Sequence, residues 1–137
     1  MSDDGASALA EFGQVIAREI LTMQELSDDP DWDTYALLAD VSDEAVRLTA
    51  YRYAEAGPPR STRYPKAFGL FRELRARTSG HEGQMWDVAI VKIHRDTARL
   101  VINFVSGDAA EMWRISPTNI DNLPELLRPR AEDFAAA

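Results

Sequence analysis

The chain has 137 residues, a length that suits one domain, with 45% apolar residues, 28% charged residues and no cysteine. This excludes a disulfide scaffold, thiolate metal sites and cysteine nucleophiles, and no apolar run approaches the roughly 18 residues of a membrane span. The net charge of −8 is unevenly placed: residues 1–44 hold twelve acids and one base, whereas 47–77 hold eight bases and two acids.

Leu9, Phe12, Ile16, Ile20 and Met23 recur at spacings of three and four, which predicts a helix over 6–26. Ser27-Asp28-Asp29-Pro30 stops it, because proline cannot continue a helix. The short apolar run 32–41 predicts a strand, and the alternating, tyrosine-bearing run 45–53 a second. Ser42 to Glu44 is short enough for a hairpin turn between them. Gly57-Pro58-Pro59 ends this hairpin and opens a polar loop. Helical spacing returns at Ala67, Leu70, Phe71 and Leu74, predicting a helix over 66–78 that stops at the glycine-bearing segment 79–83. Residues 85–93 and 99–105 read as a second hairpin through the linker 94–98. Leu100, Ile102 and Phe104 share one face of the last strand. Short helical turns are expected near 107–113 and 122–127, with frayed ends at 1–5 and 131–137.

The order helix, hairpin, helix, hairpin, short helix predicts a single α+β domain. Two hairpins joined by a crossover helix form one four-stranded, mainly antiparallel sheet with helices on one face. Its core candidates are Leu37, Leu48, Val88, Ile90, Ile102 and Phe104, and Trp32, Trp86 and Trp113 are read as core by default.

Catalytic residues are scarce. The two histidines, His81 and His94, lack metal-ligand spacing, and no nucleophile elbow, phosphate loop or dinucleotide fingerprint is present. No catalytic residue, metal or cofactor is assigned, and the chain is read as a non-enzyme. Asp29, Asp31, Asp33 and Asp40 fall at calcium-loop positions, but Thr34 stands where such a loop needs glycine. Arg47, Arg52, Arg60, Arg63, Lys66, Arg72, Arg75 and Arg77, with Tyr51, Tyr53 and Tyr64, could face nucleic acid, but a net charge of −8 opposes attraction to phosphate. These bases can also pair with the chain's own acids. The acidic residues Asp28, Asp29, Asp31, Asp33, Asp43 and Glu44 flank the first strand, and they are the candidate surface for a basic protein partner.

Three stretches carry a family resemblance: the strand Tyr35-Ala36-Leu37-Leu38-Ala39-Asp40-Val41 with Ser42-Asp43, the strand Leu48-Thr49-Ala50-Tyr51-Arg52-Tyr53, and the helix Leu70-Phe71-Arg72-Glu73-Leu74-Arg75 followed by Trp86. Over roughly residues 9–115 this layout resembles the YezG-like immunity proteins of bacterial polymorphic toxin systems. The resemblance implies an α+β fold and a cytoplasmic antitoxin that binds a co-produced nuclease toxin. Neither a membrane nor direct nucleic-acid contact is expected, given the lack of a long apolar run and the net charge of −8. A second class stays open: a small ligand-binding or enzymatic α+β domain with a pocket between sheet and helices.

Overall fold

The computed structural model describes residues 3–42, 45–55, 57–78 and 86–135, with side chains from residue 7 to residue 134. Eight helical and strand segments build its framework: α1 (Asp3–Leu21), α2 (Gln24–Ser27), β1 (Thr34–Val41), β2 (Val46–Tyr53), β3 (Arg60–Ser61), α3 (Phe68–Thr78), β4 (Val88–His94) and β5 (Arg99–Val105). A 3-10 turn over Gly107–Trp113 and two short helices, α4 (Leu123–Leu126) and α5 (Ala131–Ala135), complete the described chain. The sheet is antiparallel throughout, in the order β3-β2-β1-β4-β5. The α+β architecture and the two hairpins are as expected; the two-residue β3 adds a fifth strand beside β2.

β1 is the central strand, and seven of its eight residues are buried. That burial explains its near-continuous apolar sequence, because both of its faces are covered. On one face, Tyr35, Leu37, Ala39, Val41, Leu48, Ala50, Val91 and Ile93 meet Phe12, Ile16 and Ile20 of α1 and Phe71 and Leu74 of α3. The rings of Phe12 and Phe71 meet edge to face at 4.9 Å. Trp86 is buried and stacks on Phe104 at 4.8 Å, which places the half-buried Leu100, Ile102 and Phe104 on this side.

The opposite face is covered too, which corrects the expectation of helices on one face only. Ala36, Leu38, Tyr51, Tyr53, Val88 and Ile90 pack beneath Ala110, Leu123 and Leu127, with Trp113 and Ile115 alongside. Tyr53 donates its hydroxyl proton to the Pro124 carbonyl at 2.7 Å. The irregular C-terminal segment therefore forms a third layer. The expected fraying at 131–137 is corrected over 131–135: these residues form α5, and the buried Phe134 meets the His94 ring edge to face at 5.6 Å. At the other terminus, α1 begins at Asp3, inside the stretch expected to fray.

Element ends shift for local reasons. The first helix breaks before 26, where the amide and hydroxyl of Thr22 both donate to the Arg18 carbonyl, and it resumes as the single turn α2. Trp32 precedes β1 rather than opening it; its ring is buried and its indole N–H donates to the Leu26 carbonyl at 2.8 Å. In the β4–β5 turn Ala98 adopts φ 55°, the left-handed conformation that glycine usually supplies.

Candidate functional site

The acidic segment 28–33 leads from α2 into the start of β1, and arginines from β2, β3 and the β4–β5 turn hold it in place. Asp29 is the centre of this arrangement. One of its carboxylate oxygens accepts the Asp31 amide at 2.9 Å. The other lies 2.8 Å from Arg52 Nε and 2.9 Å from Arg60 Nη2. The Asp31 hydrogen bond, with the Arg60 and Arg52 charges, holds the Asp29 carboxyl below its ordinary range against the opposing effect of desolvation. Arg52 also donates to Glu25 at 2.7 Å and to Thr62 at 3.0 Å. The Glu25 carboxyl is likewise lowered, first by the Arg52 hydrogen bond. Arg60 donates to the Asp31 carbonyl. Arg95 donates to the carbonyls of Asp29 and Trp32, with its guanidinium 4.8 Å from the centre of the Trp32 ring.

Of the expected partner-binding residues, Asp29 is thus occupied inside the protein, while Asp28, Asp31 and Asp33 lie exposed. Asp33 extends the ladder beyond β1 on both sides: its amide donates to the Tyr53 carbonyl and its carbonyl accepts from the Arg95 amide. Its carboxylate accepts the Glu55 amide at 2.6 Å. Asp43 and Glu44 lie outside the described residues, as does His81.

Antiparallel pairing brings the start of β1, the end of β2 and the end of β4 to the same end of the sheet. Two further exposed acids, Glu55 after β2 and Asp96 after β4, therefore join Asp33 in lining one cleft of about 460 Å³. Their signal was present in the sequence as acids just beyond strand ends, but only the strand order places them together. Tyr53, His94, Arg128 and Phe134 line the same cleft. Arg128 is tied to Glu125 at 2.9 Å and to the Gly57 carbonyl, over the Tyr53 ring.

The calcium-loop reading fails on geometry. Asp29 is paired with arginines before β1 begins, and Asp40 lies near the far end of that extended strand. Among the described residues no group of three or more His, Asp or Glu side chains is placed to hold a metal. Asp40 has a different task. It is buried, it accepts Arg114 Nη1 at 3.0 Å and the Ile115 amide at 3.2 Å, and so it clips the C-terminal segment to the sheet. A polar cleft of about 570 Å³ opens beside it, lined by Arg47, Ser116 and Asn119 among others.

The arginine-rich segment largely turns inward to the chain's own acids. Arg52 and Arg60 reach Asp29, Arg75 reaches Asp87 and the Trp86 carbonyl, and Arg77 reaches Glu11. Arg63, 85% exposed at its side chain, is only loosely paired with Glu25 at 3.5 Å. Between the sheet and α1 and α3 the space is filled by Phe12, Ile16, Phe71 and Leu74; the clefts beside Asp40 and beside Asp33 lie at the two ends of the sheet, and a wider one of about 790 Å³ opens between the end of α1, Glu25 and the loop at Arg63 and Tyr64.

The fold and site define an α+β domain with a carboxylate-bearing sheet end. No family model matches the chain, and no curated protein is significantly similar to it. No helix among the described residues is long and apolar enough to cross a membrane.

Proposed function

We propose that the chain is a non-enzymatic, cytoplasmic immunity protein that binds and neutralises a basic partner toxin through the acidic end of its sheet. The partner's chemistry is that of a nuclease, whose active site must be cationic to hold phosphate. The observation that carries this reading is the division of labour among the carboxylates. Asp29 and Glu25 hold the arginines that fix the segment, and Asp28, Asp31 and Asp33 are left facing water, with Glu55 and Asp96 at the same sheet end. A negative surface mounted on a rigid ladder keeps its geometry before contact, and complementary charge speeds capture of a cationic partner.

The test is surface plasmon resonance against the co-produced toxin, using the triple variant Asp28→Asn, Asp31→Asn, Asp33→Asn. Asparagine at 33 keeps an acceptor for the Glu55 amide, and Asp29 stays untouched because the fold uses it. Association should slow by about tenfold or more in low salt. The difference should shrink at about 1 M salt, where the Debye length falls to about 3 Å. An unchanged association rate in low salt would exclude this sheet end as the docking surface.

A further inference from the structure

The two edges of the sheet are finished differently. At one edge lies β3, two residues long and preceded by Pro58 and Pro59. A short strand next to prolines offers little to pair with. At the other edge lies β5, seven residues long, and among the described residues no strand pairs with its outer side. From Leu100 to Val105 it has no proline, glycine or charge. Its own sequence therefore lacks the proline, glycine and charge that usually blunt an open edge, and among the described helices α1 and α5 pack against it. Beside it runs a groove of about 470 Å³ between strand and helix, lined by Leu9, Gly13, Ala17, Leu100 and Ile102. Leu100, Ile102 and Phe104 are only half buried because α1 does not cover them fully.

We infer that β5 is the seam of a symmetric dimer, in which a second copy of this chain pairs its own β5 antiparallel to the first, centred on Ile102. Strand addition of this kind satisfies the open backbone groups along the edge. A two-fold interface must be self-complementary, and this strand meets that condition. Centring on Ile102 sets Leu100 opposite the twin's Phe104, Val101 opposite Asn103 and Arg99 opposite Val105. The apolar row continues across the seam on the helical side, and the single charge in the strand never meets its own copy.

The helices fit the same operation. α1 lies on the β5 side of the sheet and α3 on the β1–β2 side. The seam sets the two copies of α1 side by side on the same face of the joined sheet, and helices with small residues at the contact can approach to about 8–10 Å. Gly13 and Ala17 supply that small surface. The twin helix runs antiparallel to the first. Each copy carries a net charge of −8, so association works against long-range repulsion and strengthens as salt screens it. This is the opposite salt dependence from capture of a basic toxin, and the inference does not depend on that proposal.

Light scattering on the full chain, at about 0.1 M and about 1 M salt, reads the mass directly. The expected result is a shift from 15.3 kDa toward twice that value as salt rises. A mass fixed at 15.3 kDa in both conditions overturns the inference. The absence of native cysteine gives a second measurement. Directly opposed residues have Cα atoms about 4.5–5.5 Å apart, inside the roughly 4.4–6.8 Å span of a disulfide. Ile102→Cys should therefore oxidise to a covalent dimer much faster than Ala109→Cys, an exposed control outside the sheet. If Ile102→Cys loses its circular dichroism, the double variant Val101→Cys, Asn103→Cys replaces it, because these two positions face each other across the seam. Mass doubling with cross-linking no faster than the control would place the contact elsewhere and overturn the assignment to β5.

Discussion

Replacing Asp40 separates the clip on the C-terminal layer from the packing of the core. In Asp40→Ala two hydrogen bonds disappear, one from Arg114 at 3.0 Å and one from the Ile115 amide at 3.2 Å. The arginine keeps Glu111 at 3.3 Å and its side chain is 31% exposed, so solvent and the second acid cover much of its loss, leaving about 1 kcal/mol. The Ile115 amide loses its acceptor, which costs about 1–3 kcal/mol if it stays dry. Together the loss is about 2–4 kcal/mol. Asp40→Asn keeps an oxygen for the amide and forfeits mainly the ion pair, so it should cost about 1 kcal/mol. Urea denaturation gives both numbers. Hydrogen exchange localises them: the Ile115 amide should lose protection while that of Leu37, in the middle of β1, still exchanges only through global opening. An Asp40→Ala loss below about 1 kcal/mol, or an Ile115 amide that exchanges as slowly as before, would refute the clip.

Two further substitutions probe the helical layer and the acidic segment. Phe71 is fully buried against Phe12, so Phe71→Ala should cost about 3–5 kcal/mol in chemical denaturation; a loss below about 1 kcal/mol would mean that the stripe on α3 is misassigned. Glu25 has its carboxyl held below the ordinary glutamate value in the folded state, chiefly by the Arg52 hydrogen bond. Its contribution is therefore present above that value and is lost as pH falls through the depressed one. Glu25→Gln should be less stable than the parent at pH near 7, and the two urea midpoints should converge on acidification; a gap that stays constant with pH would remove the carboxylate from the account.

Patterns that depend on local spacing were legible in the sequence. The stripe Phe12, Ile16, Ile20 and the pair Phe71, Leu74 reach the core because a 3.6-residue period alone puts them on one face. β5 occupies the expected 99–105 for the same local reason, alternation. The third layer had no such signal. Leu123 and Leu127 are buried through an irregular segment whose position is fixed by distant groups, Pro124 by Tyr53 and Arg114 by Asp40. Asp40 itself was visible as a lone acid in an apolar strand. Its partner was not, because nothing near it in sequence is basic except Arg47, which stands opposite it in β2. The linear run of aspartates likewise conceals two roles. Asp29 and Asp31 are two residues apart, yet only the Asp29 carboxylate meets the Arg52 and Arg60 side chains.

That difference changes what the charge asymmetry of the chain means. A −11 first third followed by a basic segment reads in one dimension as two opposed surfaces. In the fold the segments lie side by side, since β1 pairs with β2 and β2 with β3, and their charges partly cancel at Glu25, Asp29, Arg52 and Arg60. The field a partner feels comes from the remainder. At this sheet end the remainder includes the three exposed aspartates of the segment and Glu55 and Asp96, and of those five only Asp31 and Asp33 lie within two residues of each other in the sequence. Neutralising Asp29 would therefore release Arg52 and Arg60 and disturb the segment, whereas neutralising Asp28, Asp31 and Asp33 would weaken the external field and leave the arginine clamp standing. The two kinds of variant should separate in the laboratory: Asp29→Asn should lower the urea midpoint, and the triple variant should lower the association rate with its midpoint held or raised, because it relieves repulsion among like charges. The same fall in midpoint for both would mean that the exposed acids are structural as well, and no free carboxylate surface would remain for a partner.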